Sequence, residues 1–298
     1  MLPAMAGKPQ IAIVGAGNLA SALAVSLGRA GYNIEAVISR SGGTSLNKAK
    51  RLAQEVKARA IAANRLRDLR AEVIWICVPD GQIERAAQSL ADAIEWKARV
   101  AFHSSGALTS DELNSLRDRG ADVASVHPFM TFVRGSRPPL AGVPFAIEGD
   151  ARAVRIARGV VKDLGGEAFA IRKADKAAYH AWGTFCSPLL AALFETAEQV
   201  AAMAGVKRAA ARRRMIPILL QTLANYAASD AAQAFSGPII RGDAGTVARH
   251  LRVLRKLPHA LDAYIALAGS AIRYLPAENK RELKRVLNSA KACPPSVD

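Results

Sequence analysis

The segment Gly15-Ala-Gly17-Asn-Leu-Ala20 constrains this chain more than any other. It follows a short run rich in β-branched residues, Gln10 to Val14, and precedes apolar residues recurring at Leu19, Leu23 and Leu27, with Gly31 beyond them. That order predicts a strand, a tight turn and a helix with its stop. The G-x-G-x-x-A spacing gives each small residue a task. Gly15 takes the turn after the strand, Gly17 lets the backbone approach a pyrophosphate because it lacks a Cβ, and Ala20 lets the helix pack closely on the strand. The unpaired N–H groups and positive dipole end of the helix then face an anion. Ala16, Asn18 and Leu19 complete the expected phosphate-binding turn.

A second predicted strand, Asn33 to Ile38, ends at Ser39-Arg40-Ser41, about twenty residues past the turn, where an NAD site places Asp or Glu against the ribose 2′-hydroxyl. Here the chain places hydroxyls and a guanidinium, which form charge-assisted bonds with a 2′-phosphate. The expected cofactor is therefore NADP(H) rather than NAD. A helix is predicted over Leu46 to Ala60, then a short strand over Ala60 to Ala63. Glu72 to Val78 is a near-continuous apolar run of the kind buried on both faces of a parallel sheet. Its end, Val78, Pro79 and Asp80, is expected to meet the cofactor, and Cys77 to be a core residue. Further strands are predicted at Arg99–Phe102, Asp122–Val126, Val143–Ile147 and Glu167–Ile171, with a helix over Ala151–Leu164.

From Lys173 onward the pattern is helical only. The stretch Ala174 to Gly205 reads as one long helix with a kink at Gly183 or Ser187-Pro188. Pro217 is placed near the start of the next helix, Ile218 to Ala228, followed by a turn at Gly237-Pro238 and helices over Gly245–Leu254 and Pro258–Tyr274. The expected fold class is α/β: a Rossmann-type, mostly parallel sheet followed by an all-helical C-terminal domain. The expected domains are 8–172 for NADP binding, 173–288 for substrate binding and dimerisation, and 289–298 as a flexible tail.

The 298 residues suffice for one large or two ordinary domains. A net charge of +16, from 41 basic and 25 acidic residues, first suggests a polyanionic partner. It is unevenly spread: the first 150 residues hold 18 basic and 14 acidic side chains, the remainder 23 and 11. Lys207-Arg208 with Arg212-Arg-Arg214, and Arg249, Arg252, Arg255 and Lys256, are the dense clusters. Aromatic residues make up only 5% and do not interleave with them, so a solvated basic face is favoured over a nucleic-acid-binding module. No 18-residue apolar run predicts a membrane span. Lys8 and the apolar residues after it resemble a secretory leader only superficially, because Gly15, Gly17, Asn18 and Ser21 have the order of a phosphate turn. Three widely spaced cysteines predict no disulfide framework and fit a reducing cytoplasm. The five histidines are too scattered for a metal motif, so no metal is expected.

Hydride transfer to C=O or C=N needs an acid or base near the acceptor atom and polar groups that hold the substrate. His103 and His127 each follow a predicted strand, which puts both at the carboxyl-end rim of the sheet. Ser104, Ser105 and Gly106 offer hydroxyl and N–H contacts beside them. Lys176 and His180, spaced i,i+4, share a helix face with Gly183 and Ser187. In the helical half, Arg241 suits a carboxylate on a substrate or across a dimer interface. Asp243 either joins it there or caps the next helix with support from Thr246.

Seven motifs in order carry a family resemblance: Gly15-Ala-Gly17, Val78-Pro79-Asp80, His103-Ser-Ser-Gly-Ala107, His127-Pro-Phe-Met-Thr-Phe132, Gly142-Val-Pro-Phe-Ala-Ile-Glu-Gly149, Asp175-Lys-Ala-Ala-Tyr-His180 and Gly237-Pro-Ile-Ile-Arg-Gly-Asp243. Over residues 10 to 275 the chain resembles bacterial proteins that join a Rossmann-like domain to a helical domain of unknown function. These are similar in turn to pyrroline-5-carboxylate reductase, ketopantoate reductase and the β-hydroxyacid dehydrogenases. The resemblance implies an NADP-dependent oxidoreductase acting on a small carbonyl, hydroxyl or imine compound, and a homodimer built by the helical domain. It names no substrate. In the β-hydroxyacid dehydrogenases a Lys-x-x-x-Asn pair contacts the reacting group. Lys176 carries over by position as proton donor or substrate clamp, whereas His180 departs from the pattern. A non-catalytic NADP sensor or scaffold is the alternative.

Overall fold

In the computed structural model, residues 7–40, 42–63, 65–66 and 68–292 are described. Ser41 and the end of the predicted tail, 293–298, lie outside them. Near-continuous apolar runs become strands buried at every position: β1 (Ile11–Val14), β2 (Ile34–Ser39), β4 (Val73–Ile76) and β5 (Val100–His103). With β3 (Arg59–Ala62), β6 (Asp122–Pro128), β7 (Pro144–Gly149) and β8 (Glu167–Ala170) they form one sheet in the order β3-β2-β1-β4-β5-β6-β7-β8. All neighbours are parallel except β6 and β7. The chain runs outward from β1 to β3 and then returns to place β4 on the other side of β1. That reversal opens a crevice at the carboxyl ends of β1 and β4, the usual ligand position in such sheets.

Side chains alternate across the sheet, as the two-residue period requires. Ile11, Ile13, Trp75 and Phe102 face one core, with α1 (Asn18–Arg29), α2 (Gly43–Glu55) and later α5 (Ala151–Asp163). Ala12, Val14, Ile74 and Ile76 face the other, with α3 (Ile83–Ala91) and α4 (Asn114–Arg117). The first compact unit includes α6 (Lys176–Cys186) and ends at Ser187. Where the sequence suggests a boundary after 172, α6 groups with the sheet because Lys176 and Tyr179 are buried in that unit.

The second unit begins at Pro188. It contains α7 (Pro188–Met203), α8 (Arg208–Ala228), α9 (Ala231–Ala234), α10 (Ala244–Leu254), α11 (Pro258–Tyr274) and α12 (Lys280–Ala292). Val247, Leu251, Leu261, Ile265, Leu283 and Leu287 form its core.

Four sequence expectations need correction. Helix α2 ends at Glu55 rather than Ala60, since Lys57 takes a positive φ of 56° and the chain then enters β3. The long helix expected over 174–205 is two helices, broken at Ser187, whose non-helical backbone suits a residue preceding proline. Helix α8 begins at Arg208, so Pro217 lies inside it. Its first turns are tied to α7 by the Glu198 carboxylate, which accepts from Arg208 Nε at 3.0 Å and Arg212 Nε at 2.7 Å, and by an Arg208–Glu195 pair. Finally, α12 continues through Ala292 with Leu283, Leu287 and Ala290 buried, so residues 289–292 are helix rather than tail. The ion pairs of α7 and α8 also absorb part of the first basic cluster into structure.

Candidate cofactor cleft and active site

The crevice at the carboxyl ends of β1, β2 and β4 is a cleft of about 460 Å³. Gly15, Ala16, Gly17, Ser39, Arg40, Val78 and Pro79 line it. Gly15 has φ +108°, and a Cβ there would lie 2.5 Å from the Cys77 carbonyl oxygen. The turn passes so close to β4 that only glycine fits. At Gly17 the situation reverses, since an added Cβ would meet nothing within 4 Å. Its empty side faces open space, as backbone that must admit a phosphate should. Gly17 precedes α1 with no side-chain cap and no acidic residue in the first turn, leaving N–H groups for an anion. Asn18 donates from Nδ2 to the Phe132 carbonyl at 3.1 Å, while Leu19 packs against the core.

Sequence reasoning missed the rest of the polar lining: Thr44, Ser45 and Lys48 on α2, and Gln82, Arg85 and Ser89 on or just before α3. A hydroxyl pair followed one turn later by a lysine at the start of the helix after β2 is the signal that was available. The described lining residues include Arg40, Lys48 and Arg85 and no carboxylate. Asp80 does not line the cleft; it accepts from Ser105 Oγ at 2.8 Å. Cys77 is a lining residue, but burial pushes its thiol well up, which makes it inert.

Beyond β5, a polar network shapes the next loop. His103 is fully buried; its Nδ1 accepts from Ser105 N–H at 3.1 Å, so the proton sits on Nε2 and is donated to the Thr109 carbonyl at 2.8 Å. Burial lowers its pKa to about 4, only partly opposed by the Thr109 bond. Both ring nitrogens therefore serve the loop. Ser104 Oγ accepts from the Trp75 indole at 2.7 Å. Ser105 Oγ accepts from the N–H groups of Ala107 and Leu108.

Lys176 is also fully buried. Its ammonium donates to the Ser105 carbonyl at 3.1 Å and to Ser125 Oγ at 2.7 Å, joining the β5 loop and β6 to α6. Burial lowers its pKa to about 8, against the pull of the Glu148 and Asp80 carboxylates. His180, four residues on, is exposed. The i,i+4 pair thus straddles an edge, one member buried and the other exposed.

His127 and His180 converge on Gly106. A Cβ on Gly106 would lie 2.7 Å from His180 Cδ2 and 2.9 Å from His127 Nε2. His127 Nδ1 is 2.8 Å from the Tyr179 hydroxyl. In the second unit, Asp243 Oδ1 accepts from Thr246 N–H at 2.9 Å and caps α10, and Arg241 is exposed.

A nucleotide-type cleft at the switch point of a Rossmann sheet, followed by a separate helical unit, defines the class. Residues 5–128 match the Rossmann-like domain family, and residues 143–271 match the family described as Domain of unknown function (DUF2520). No curated protein matches the chain. Among solved structures, a Bacteroides fragilis protein provisionally described as an NADP oxidoreductase superposes with a TM-score of 0.72 at 21% identity, covering 88% of this chain and 97% of that one. The Aspergillus terreus reductive aminase, solved with NADPH and ethyl-5-oxohexanoate, gives 0.66 at 13% identity over 94% and 99%. The 1-pyrroline-5-carboxylate reductase of Streptococcus pyogenes gives 0.60 at 17% identity over 96% and 99%. The fold is thus that of the reductases the motifs resemble.

Proposed function

We propose that this protein is an NADP(H)-dependent oxidoreductase that passes hydride between the nicotinamide and a small carbonyl, hydroxyl or imine substrate. The observation that carries this reading is the cleft, which combines an open face at Gly17, a free α1 N-terminus and cationic walls without a carboxylate. The turn from Gly15 to Leu19 would hold the pyrophosphate. Ser39 and Arg40, with Thr44, Ser45 and Lys48, would hold the 2′-phosphate, where opposite charge and hydroxyl donors favour NADP over NAD. When bound, the nicotinamide supplies or accepts the hydride. The NADP chemistry named for two of the structural neighbours accords with this assignment. Oxidation of bound NADPH by a panel of keto acids, ketones and cyclic imines is the functional test. Binding of NADPH without turnover of any of them would leave a cofactor sensor instead.

Lys176 stands in this proposal as a fixed cation beneath the reacting group rather than a donor in contact with it, because both neighbouring acceptors already hold its ammonium. His127 and His180 are the candidates to meet substrate. With a folded pKa of about 8 against an ordinary 10.5, Lys176 binds fewer protons in the folded chain than in the unfolded one between those values. Its contribution to stability therefore rises with pH across that window. The stability difference between wild type and Lys176→Met is expected to move in favour of wild type by about 1–3 kcal/mol from pH 7.5 to 10. A pH-independent difference would contradict the buried, charged state.

The second unit supports a homodimer. Ile218, Leu220, Leu223 and Tyr226 on α8 and Leu189 and Leu190 on α7 are exposed, and Ala211 is the buried residue of α8. A second copy packing around α8 accounts for so much uncovered apolar surface. Leu220→Arg is expected to halve the solution mass to that of one 31.5 kDa chain without loss of helicity. A wild-type chain already monomeric at micromolar concentration would overturn the dimer. No single described helix is long and apolar enough to cross a membrane. The free thiols of Cys77 and Cys186 suit the cytoplasmic setting proposed.

A further inference from the structure

The His127–Tyr179 contact has no role in the cofactor cleft, yet it places a titratable ring at the mouth of the β6 loop. Tyr179 is 7% exposed and is wedged among Phe129, Phe169 and Trp182, with ring centroids 5.4, 6.0 and 6.2 Å away. Its hydroxyl carries one proton. Among the described residues, the acceptor within reach is His127 Nδ1, at 2.8 Å. If Nδ1 carried the proton instead, the phenolic hydrogen would be buried with no acceptor, which is costly. The phenol therefore donates, Nδ1 accepts, and the imidazole proton resides on Nε2.

That nitrogen lies beside Gly106, 2.9 Å from where a Cβ would stand, a close approach that a residue without a side chain permits. It has no partner among the described residues. His127 is half-buried, so its ring is not sealed off from solvent. We propose that Tyr179 is a positioning residue that locks His127 as its Nε2–H tautomer and aims that N–H, as a neutral hydrogen-bond donor, at the carbonyl oxygen or imine nitrogen of the substrate. This rests on the oxidoreductase reading for its substrate, but the tautomer itself does not depend on it. The donor bond strengthens as negative charge gathers on the acceptor, which is the form of stabilisation that accelerates a reaction. His127 keeps its proton throughout, and the proton that completes reduction of the carbonyl or imine is taken from solvent water.

The surroundings favour the neutral ring. Burial lowers the His127 pKa to about 3, and the titratable groups facing it, Lys176 first and then His180 and His103, act in the same direction. Gly106 sets the fit from the other side, since any side chain there would collide with both imidazoles.

Two-bond ¹H–¹⁵N correlation spectra of the histidine rings in the full-length protein, recorded between pH 5 and 8, test the proposal. The wild type is expected to show two rings with the Nε2–H pattern that do not titrate, those of His103 and His127, the second assigned by its loss in His127→Gln. In Tyr179→Phe the His127 ring is expected to populate both tautomers, with NADPH affinity unchanged within about twofold. Once a substrate is known, kcat should fall about tenfold in that variant while KM stays near the wild-type value. An Nδ1–H pattern in the wild type, which needs no variant to fold, would overturn the assignment. So would an unchanged tautomer in a folded Tyr179→Phe. Failure of the wild type to bind NADPH would instead remove the oxidoreductase reading and leave the tautomer result standing.

Discussion

Replacing Gly17 by alanine is expected to weaken NADPH binding by about 100-fold, close to 3 kcal/mol, with the melting temperature unchanged. The reason is local. The added methyl meets no protein atom within 4 Å and the backbone, with φ −78°, is one alanine adopts freely, so the fold has no cause to object. The methyl instead occupies the space through which the phosphates reach the N–H groups of α1. Gly15→Ala makes the opposite separation. Its Cβ would lie 2.5 Å from a backbone oxygen of the neighbouring strand, and the φ of +108° is strained for any L side chain. That variant should lose about 2–4 kcal/mol of stability before binding is considered. Thermal melts and NADPH titrations of the two variants side by side distinguish a phosphate-facing glycine from a fold-forming one. Equal loss of stability in both would show that the turn is built differently.

Arg40→Ala is expected to raise the Kd for NADPH by about 10–100-fold while leaving NADH within about twofold, since one charge-assisted bond contributes roughly 1.5–3 kcal/mol. The side chain is exposed at the end of β2 and lines the cleft with Thr44, Ser45 and Lys48. Lys48→Ala should act in the same direction and more weakly, as a point charge without the planar fork of a guanidinium. The discrimination should also decline as salt rises, because the site is open to solvent. Loss of both cofactors in parallel would assign Arg40 to the fold rather than to the 2′-phosphate.

Features decided by neighbouring residues were legible in the sequence. The strand–glycine–helix order around Gly15 is local, and the central strands are recognisable because burial on both faces demands unbroken apolar runs. Features decided by partners distant in sequence were not. Pro217 reads as a helix start, yet the pairing of Glu198 with Arg208 and Arg212 begins α8 well before it. The i,i+4 spacing of Lys176 and His180 implies a shared face, but the sheet buries one and leaves the other exposed. Lys48 and Arg85 enter the cleft from two helices that only the strand order brings together. The bond between Tyr179 and His127 joins residues 52 positions apart, and no spacing rule would suggest it.

Isothermal titration of the full chain with NADPH and with NADH decides whether the cleft is an NADP site. Saturable NADPH binding, at least about tenfold tighter than NADH and lost in Gly17→Ala, is the predicted result. Tighter binding of NADH, or no binding of either nucleotide by the folded wild type, would contradict it.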